Sequence, residues 1–307
     1  MEEFLATRTS VKKAVINVFK DIDRGGSTRD CSGSVDGLRA ALDRADAVLI
    51  GAGSGLSTAA GFTYSGARFE RFFSDFIDAY GISDLYTGGF WPFGSLEERW
   101  AWWSRHIYYN RYVPAPKPVY DDVLRLVRDE DYFVLTTNVD HQFQSAGFDK
   151  KRLFYMQGDY GLWQCSALCH SETYDNETAV RLMVSEQKSM RIPSELVPRC
   201  PRCGRPMTMN LRVDGSFVQG EGWYRVKGRY DDYLRHHEGM LVLPLELGAG
   251  MNTPVWIKYP FWRMAERNEN ATYACLSLGE AYAPPEIAER SICLDDDIES
   301  TLKRLIG

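Results

Sequence analysis

The sequence predicts an α/β protein: a doubly wound, parallel, Rossmann-like sheet with a small cysteine-bearing module inserted between its halves and a helical, aromatic lid segment. Three observations predict it. An apolar run, Val48 to Ile50, breaks into Gly51, Gly53 and Gly55 and resumes as helix-forming residues. A second strand-to-glycine turn follows late in the chain, where Met240 to Leu245 runs into Gly248 to Pro254. Between the two lie two close cysteine pairs. Strands alternating with helices on both sides of an insertion make one sheet interrupted by a module. The implied division is a helical extension over 1–45, a first sheet part over 46–160 that includes the lid at 67–118, the module over 161–215, and a second sheet part over 216–307.

Composition bounds the function. At 307 residues and 44% apolar content the chain can bury a full core. Its net charge of −6, with no long basic run, excludes the electrostatic footprint of a nucleic-acid binder. No apolar run approaches the roughly 20 residues that cross a bilayer, and MEEFLATRTSVKK lacks the apolar core of a signal peptide. A cytoplasmic protein without membrane contact is the expectation. Seven cysteines, an odd count, then read as metal ligands and free thiols, not as a disulfide framework.

In chain order, Val11, Val15 and Phe19, then Leu38 and Leu42, stand at helical spacing around the turn-like GGSTRDCSGS. The Ala47–Gly66 stretch follows. Glycines let a backbone approach an anion without a Cβ in the way, and the helix start behind them offers N–H groups, with the Ser57 and Thr58 hydroxyls beside them. The same spacing also suits a plain βα turn, because Leu56 stands where the strict dinucleotide pattern has its last glycine. From Ala67 to Tyr112 the chain is densely aromatic, which reads either as core or as a lid over the glycine turn. PAPKP at Pro114 to Pro118 leads to a helix over Val119 to Val127 and a buried strand over Tyr132 to Thr136. That strand ends in Asn138 and Asp140, which are either ligand groups at a strand's carboxyl end or an Asx turn. Leu153 to Met156 ends likewise in Gln157, Gly158 and Asp159. Thr272 to Leu278 and a helix over Asp297 to Leu305 close the chain.

The cysteine pairs carry the firmest local inference. Three residues separate Cys165 from Cys169 and two separate Cys200 from Cys203, and Gly204 permits a knuckle turn in PRCPRCGRP. Four thiolates complete a tetrahedral sphere, so the expectation is one structural zinc ion with no open position for catalysis. His170 is an outside candidate ligand, and Cys31, Cys275 and Cys293 read as buried apolar residues.

These residues also resemble a known family. Gly53-Ser54-Gly55-Leu56-Ser57, continuing to Ala60 and Gly61, is similar to the sirtuin signature GAGxSxxAGI, and Thr136-Thr137-Asn138-Val139-Asp140 resembles TQNID. Gln157-Gly158 falls where sirtuins carry a catalytic His-Gly, and Gly248 to Met251 resembles the turn that holds the adenosine ribose. The resemblance spans residues 45 to 305. Three departures are specific: Thr63-Tyr64-Ser65-Gly66 replaces PDFR, Thr137 replaces the glutamine of TQNID, and Gln157 replaces the histidine. With NTPxxIKxPF at Asn252 to Phe261, they resemble the class M, macrodomain-linked sirtuins. That resemblance implies NAD as cofactor, protein ADP-ribosyltransferase activity, and a protein substrate of the lipoylated, glycine-cleavage-H-like carrier type. It implies cofactor contacts at Gly51, Ala52, Gly53, Ser54, Gly55, Ser57, Thr58, Gly61, Thr136, Asn138, Asp140, Gln157, Gly248, Ala249, Gly250, Met251, Asn252 and Ser277, the last standing where sirtuins commonly carry an asparagine.

Chemistry supports the same direction. Sirtuin deacylation needs a base to remove a ribose proton, and a glutamine amide accepts no proton near neutral pH. Transfer of ADP-ribose needs less: Asp140 stabilises positive charge on the ribose while Asn138 and Gln157 position sugar and acceptor, and an acceptor carboxylate is already ionised. Two alternatives are an NAD-dependent deacylase with His141 as base, and a sensor that binds NAD or ADP-ribose without turnover.

Overall fold

The computed structural model describes residues 33–251 and 254–307. Residues 1–32 of the extension expected over 1–45, with Cys31, and Asn252 of the second glycine turn lie outside the described residues. The first half of the chain runs α1 (Val35–Arg44), β1 (Ala47–Ala52), α2 (Ser54–Ala59), α3 (Ala67–Tyr80), α4 (Leu85–Gly89), α5 (Leu96–Ile107), a π-helical turn Tyr108–Tyr112, α6 (Val119–Val127), β2 (Tyr132–Thr136), α7 (Gln142–Ser145) and β3 (Leu153–Tyr155). Then come β4 (Gly158–Cys165), β5 (Tyr174–Asp175), α8 (Glu177–Glu186), β6 (Met207–Leu211), α9 (Glu221–His236), β7 (Val242–Leu247), α10 (Lys258–Arg267), β8 (Tyr273–Leu276), β9 (Ser291–Leu294) and α11 (Ile298–Ile306).

Six parallel strands form the main sheet in the order β3-β2-β1-β7-β8-β9. β1, β2 and β7 are buried along their whole length, as strands covered on both faces must be, which is why they read as largely apolar runs. The chain leaves β1 towards β2 on one side and returns to β7 on the other, so the strand order reverses between β1 and β7. Both strands end in a glycine turn at that reversal, the place where doubly wound sheets open a crevice. β7 starts two residues later than the sequence suggests, because Met240 and Leu241 are 40% and 47% exposed and lie outside the sheet.

Helices cover both faces. Leu38, Val123 and Leu302 of α1, α6 and α11 pack on one. Phe261 of α10 and Ile257 just before it, with Tyr230 and Tyr233 of α9, pack on the other. Side-chain caps fix the entry of the outer helices: Ser34 accepts the Gly37 N–H, and Asp297 accepts the Ser300 N–H.

A second, antiparallel sheet runs β5-β4-β6. The aromatic run settles mainly as core against it: Phe69, Phe73, Phe76, Trp100 and Trp102 of α3 and α5 share one buried cluster with Tyr160, Trp163, Met207 and Met209 of the small sheet. Lid and module are thus one packed body. No helix among the described residues is long and apolar enough to cross a membrane.

Candidate active site and metal centre

The two glycine turns are pressed together. A Cβ on Gly53 would lie 2.6 Å from Ala249 Cα, and one on Gly55 2.8 Å from Gly248 Cα. The Gly53 N–H donates to the Leu247 carbonyl (3.0 Å) and the Gly55 N–H to that of Gly248 (2.9 Å). These glycines are therefore required by the contact between the turns, and their N–H groups hold that contact. Gly51 has a different reason, since its Cβ would strike Ile257, at the entry to α10, and Phe261 of that helix at 2.4 and 2.5 Å. Ala52 ends β1 beside them, its carbonyl accepting from Thr136 Oγ1 (2.9 Å).

The carboxyl end of β2 reaches the same point. Asn138 Nδ2 donates to the Gly53 carbonyl (2.9 Å) and to Tyr120 Oη (3.2 Å), while the Asn138 N–H is held by Thr136 Oγ1 (3.0 Å). Ser57 Oγ donates to Asp140 Oδ2 (2.5 Å) and lies 2.9 Å from Tyr120 Oη. The Gln142 N–H takes the other Asp140 oxygen (3.2 Å). Asn138, Ser57, Asp140 and Tyr120 thus form one buried network that ties β2 to the first glycine turn. Burial pushes the Asp140 carboxyl above the usual carboxylate range, against its hydrogen bonds from Ser57 and the Gln142 N–H, and the charge of Asp159 adds to the rise. Burial and Asp140 together push the Tyr120 phenol well above its ordinary value.

Gln157 follows β3. Thr136 pairs with Tyr155 in parallel register, so Asn138 and Gln157 leave neighbouring strands at the same level. Gln157 is half-buried, its carbonyl accepts the Arg212 N–H (3.0 Å), and its side-chain amide has no hydrogen-bonded partner among the described residues. His141 takes a left-handed conformation (φ 66°) that turns its ring away from the network, with Nδ1 2.5 Å from Asp159 Oδ2. Arg111 Nε and the Gly161 N–H both donate to the other Asp159 oxygen at 2.7 Å. Burial acts to raise the Asp159 carboxyl, but His141 and Arg111 hold it below its ordinary value.

The remaining expected contacts scatter more widely. Ser54 is exposed at the start of α2, Thr58 Oγ1 turns back to the Ser54 carbonyl, and Gly61 faces Pro116. On the β7 side, Ala249 is buried and Gly248 has φ 60°. Gly250 lies against the Glu280 carboxylate, which accepts the Met251 N–H (3.0 Å). Ser277 is buried after β8, its N–H donating to Leu294. Sequence reasoning missed Tyr120 and Arg111. Each lies on a helical segment distant in sequence from the strand ends, and only packing brings them in.

At the far end of β4 the four thiols converge. Sγ atoms of Cys165, Cys169, Cys200 and Cys203 all lie within 4.8 Å of one another, with Cys165 opposite Cys203 (3.5 Å) and Cys169 opposite Cys200 (3.6 Å). Gly204 at φ 72° closes the second knuckle. The backbone N–H of Cys169 pulls the Cys165 thiol down to about 6, whereas burial and the neighbouring thiols push Cys169 up to about 12. Crowded thiols resist joint ionisation unless a cation neutralises them, so the donor set fits zinc. His170 Nδ1 lies 3.0 Å from Cys169 Sγ and its Nε2 2.8 Å from Tyr174 Oη, outside the four-thiol cluster. At roughly 3.3 Å per strand residue, the length of β4 sets the cluster about 25 Å from Gln157, too far to touch its chemistry.

The class is set by fold. The structure matches Sir2Tm bound to a propionylated peptide with a TM-score of 0.55 at 15% identity, covering 88% of this chain and 96% of that one. It matches a Sir2 homologue–NAD complex with a TM-score of 0.55 at 15% identity, covering 92% and 95%. The architecture is that of the sirtuins. No protein-family model matches the chain. A Staphylococcus aureus protein named protein ADP-ribosyltransferase is 40% identical over 266 residues, 86% of this chain and 84% of that protein. A Fusarium oxysporum protein named probable bifunctional ADP-ribose hydrolase/ADP-ribosyltransferase is 32% identical over 292 residues, and this chain spans 48% of its length. The chain belongs to the sirtuin-type, NAD-dependent protein ADP-ribosyltransferases.

Proposed function

We propose that this enzyme transfers ADP-ribose from NAD to a protein acceptor with release of nicotinamide, using Asn138, Asp140 and Gln157. One observation carries the residue assignment: at the level of Asn138, where deacylating sirtuins place a base, the neighbouring strand presents an unengaged amide, Gln157. NAD, when bound, supplies an ADP-ribosyl group whose bond to nicotinamide breaks as positive charge develops on the ribose. The carboxylate of Asp140, fixed by Ser57 and the Gln142 N–H, favours that charge. Gln157 orients a reactant by hydrogen bonding and moves no proton. Asn138 holds the strand end against Gly53 and so sets the distance between the glycine turn and the reacting end. The proposed cofactor site takes in Gly51–Thr58, Gly61, Thr136, Gly248–Met251 and Ser277, and one structural zinc ion is assigned to the four cysteines.

A lipoylated, glycine-cleavage-H-like carrier in the cytoplasm is the proposed acceptor. The name of the Fusarium relative, which joins hydrolase and transferase in one protein, supports a functional link to an ADP-ribose hydrolase such as a macrodomain protein. Incubation with labelled NAD and carrier, lipoylated or not, followed by mass spectrometry, tests the reading. Gln157→Ala should slow modification about 100- to 1000-fold, the cost of losing one positioned hydrogen bond to a charged transition state. The deacylase alternative has its own support, because Asp159 holds His141 Nδ1 as carboxylates hold basic histidines. Brisk deacylation of acyl-lysine peptides, abolished by His141→Ala and not by Gln157→Ala, would establish that alternative.

A further inference from the structure

Tyr120 lies buried in the first turn of α6, its ring edge-on to Phe143 at 4.9 Å. Its hydroxyl is the midpoint of the buried network at the first glycine turn, and the proton positions in that network follow from its two ends. At one end the Gly53 carbonyl can only accept, so the Asn138 atom 2.9 Å away is the amide nitrogen. The second hydrogen of that nitrogen goes to Tyr120 Oη at 3.2 Å. At the other end the Asp140 carboxylate can only accept, so Ser57 Oγ donates to it (2.5 Å) and turns its lone pairs to Tyr120 Oη at 2.9 Å. Tyr120 therefore accepts from Asn138 and donates to Ser57. A one-way chain of donors runs from Asn138 through Tyr120 and Ser57 to Asp140, and all four residues are buried.

In such a chain each hydroxyl that accepts becomes a better donor, and the gain accumulates at the last acceptor. Here that acceptor is a carboxylate whose charge burial opposes. The phenol keeps its proton to pass on, because burial and Asp140 push it well above its ordinary value. At the other end both hydrogens of the Asn138 amide are engaged, which fixes the amide's orientation and leaves its Oδ1, without a hydrogen bond among the described residues, for the substrate. We infer that Tyr120 is a positioning residue for the transfer: through one hydroxyl it orients the Asn138 amide and holds the Asp140 carboxylate in its charged form. The inference rests on the roles proposed for Asn138 and Asp140 and adds the residue that couples them. Tyr120 forms and breaks no covalent bond. The other groups facing Asp140 are the Gln142 N–H of α7, the Asp159 carboxylate of β4 with its partners Arg111 and His141, and the phenols of Tyr64 and Tyr160. All of them remain in a Tyr120→Phe variant, which also keeps a ring against Phe143, so what changes there belongs to the hydroxyl.

The test compares full-length wild type and Tyr120→Phe in labelled-NAD transfer as a function of pH. In the variant kcat should fall about tenfold, the rate equivalent of one net hydrogen bond, with KM for NAD within about twofold of wild type. The chain favours the charged form of Asp140, so cutting it raises the carboxyl's pKa, and the acid limb of the rate profile should move up by about half to one pH unit. Ser57→Ala removes the direct donor and should move the limb further in the same direction. Carbon-13 titration of the Asp140 carboxyl, assigned with Asp140→Asn, reads the same upward shift without turnover. A folded Tyr120→Phe variant with wild-type kcat and an unmoved Asp140 titration overturns the inference. So does a variant that loses NAD affinity with kcat unchanged, which would make Tyr120 a cofactor contact only. If wild type transfers nothing while Tyr120→Phe still displaces the titration, the transferase reading fails and the coupling of Tyr120 to Asp140 stands.

Discussion

The main sheet and the cysteine module solve the same problem, burying a polar backbone, with opposite materials. The sheet is covered on both faces by helices, and its central strands are buried from end to end. It even takes a fully buried ion pair, Glu246 with Lys258 at 2.5 Å, with Tyr273 donating to the second carboxylate oxygen at 2.7 Å. The module has three short strands, an aromatic core borrowed from α3 and α5, and four thiols at one end. One region is built on area, the other on borrowed rings and a four-thiol cluster. The candidate reaction centre lies where they meet, so damage to either body should reach it by a different route.

The sharpest way to break the comparison is to remove metal. Structural zinc contributes about 10–16 kcal/mol in small zinc domains, so chelation or Cys200→Ser should collapse the module and lid while far-ultraviolet signal from the main sheet persists. Metal analysis should find one zinc per chain. Near-ultraviolet circular dichroism, to which the buried Trp100, Trp102 and Trp163 contribute, reads the outcome; an unchanged spectrum in metal-free protein contradicts it.

Next in size is the sheet's ion pair. Lys258→Ala leaves the Glu246 carboxylate buried and unmatched, which should cost about 3–5 kcal/mol in urea denaturation. The double variant Glu246→Gln with Lys258→Met should recover most of that loss. Equal instability of single and double variants would show that shape, not charge, was at stake.

A smaller effect distinguishes the module by pH. Burial, with the charge of Arg68, pulls the His106 pKa from 6.5 to about 3, and its ring is held by Tyr160 Oη at 2.9 Å. The unfolded chain therefore takes a proton below pH 6.5 that the folded chain refuses until about 3. This contribution is fully present above pH 6.5 and falls by roughly 1.4 kcal/mol per unit as pH drops through that window. Urea midpoints between pH 7 and 5 should show the slope in wild type and lose it in His106→Gln.

The smallest expected effect sits at the junction. Tyr120→Phe removes the hydroxyl that accepts from Asn138 and meets Ser57, at a cost of about 1 kcal/mol, because Ser57 keeps Asp140 and Asn138 keeps the Gly53 carbonyl. A loss several times larger would mean that the network acts as one unit.

Much of this was legible in the sequence where the signal is local. β1 and β2 announce themselves as apolar runs, α6 appears at its observed bounds of Val119–Val127, and the cysteine spacing marks a four-thiol site. A strand's period, a helix's period and a chelate's spacing are all carried by neighbours in the chain. The ordered glycine, Asn-Val-Asp and Gln-Gly motifs also carried the family resemblance that a 40% identical relative supports.

What only tertiary structure decided concerns groups brought together from distant segments. The glycines of the first turn are needed because a second glycine turn and α10 press on them, which no local pattern reveals. Tyr120 joins Asp140 from 20 residues away, and Arg111 reaches Asp159 from 48. The ion pair of Glu246 and Lys258, and Arg212 among its three rings, likewise depend on packing across elements. The physical reason is common to all: hydrogen bonds, ion pairs and burial depend on distance in space, and the chain's local periodicity specifies which elements form long before it specifies which of their side chains meet.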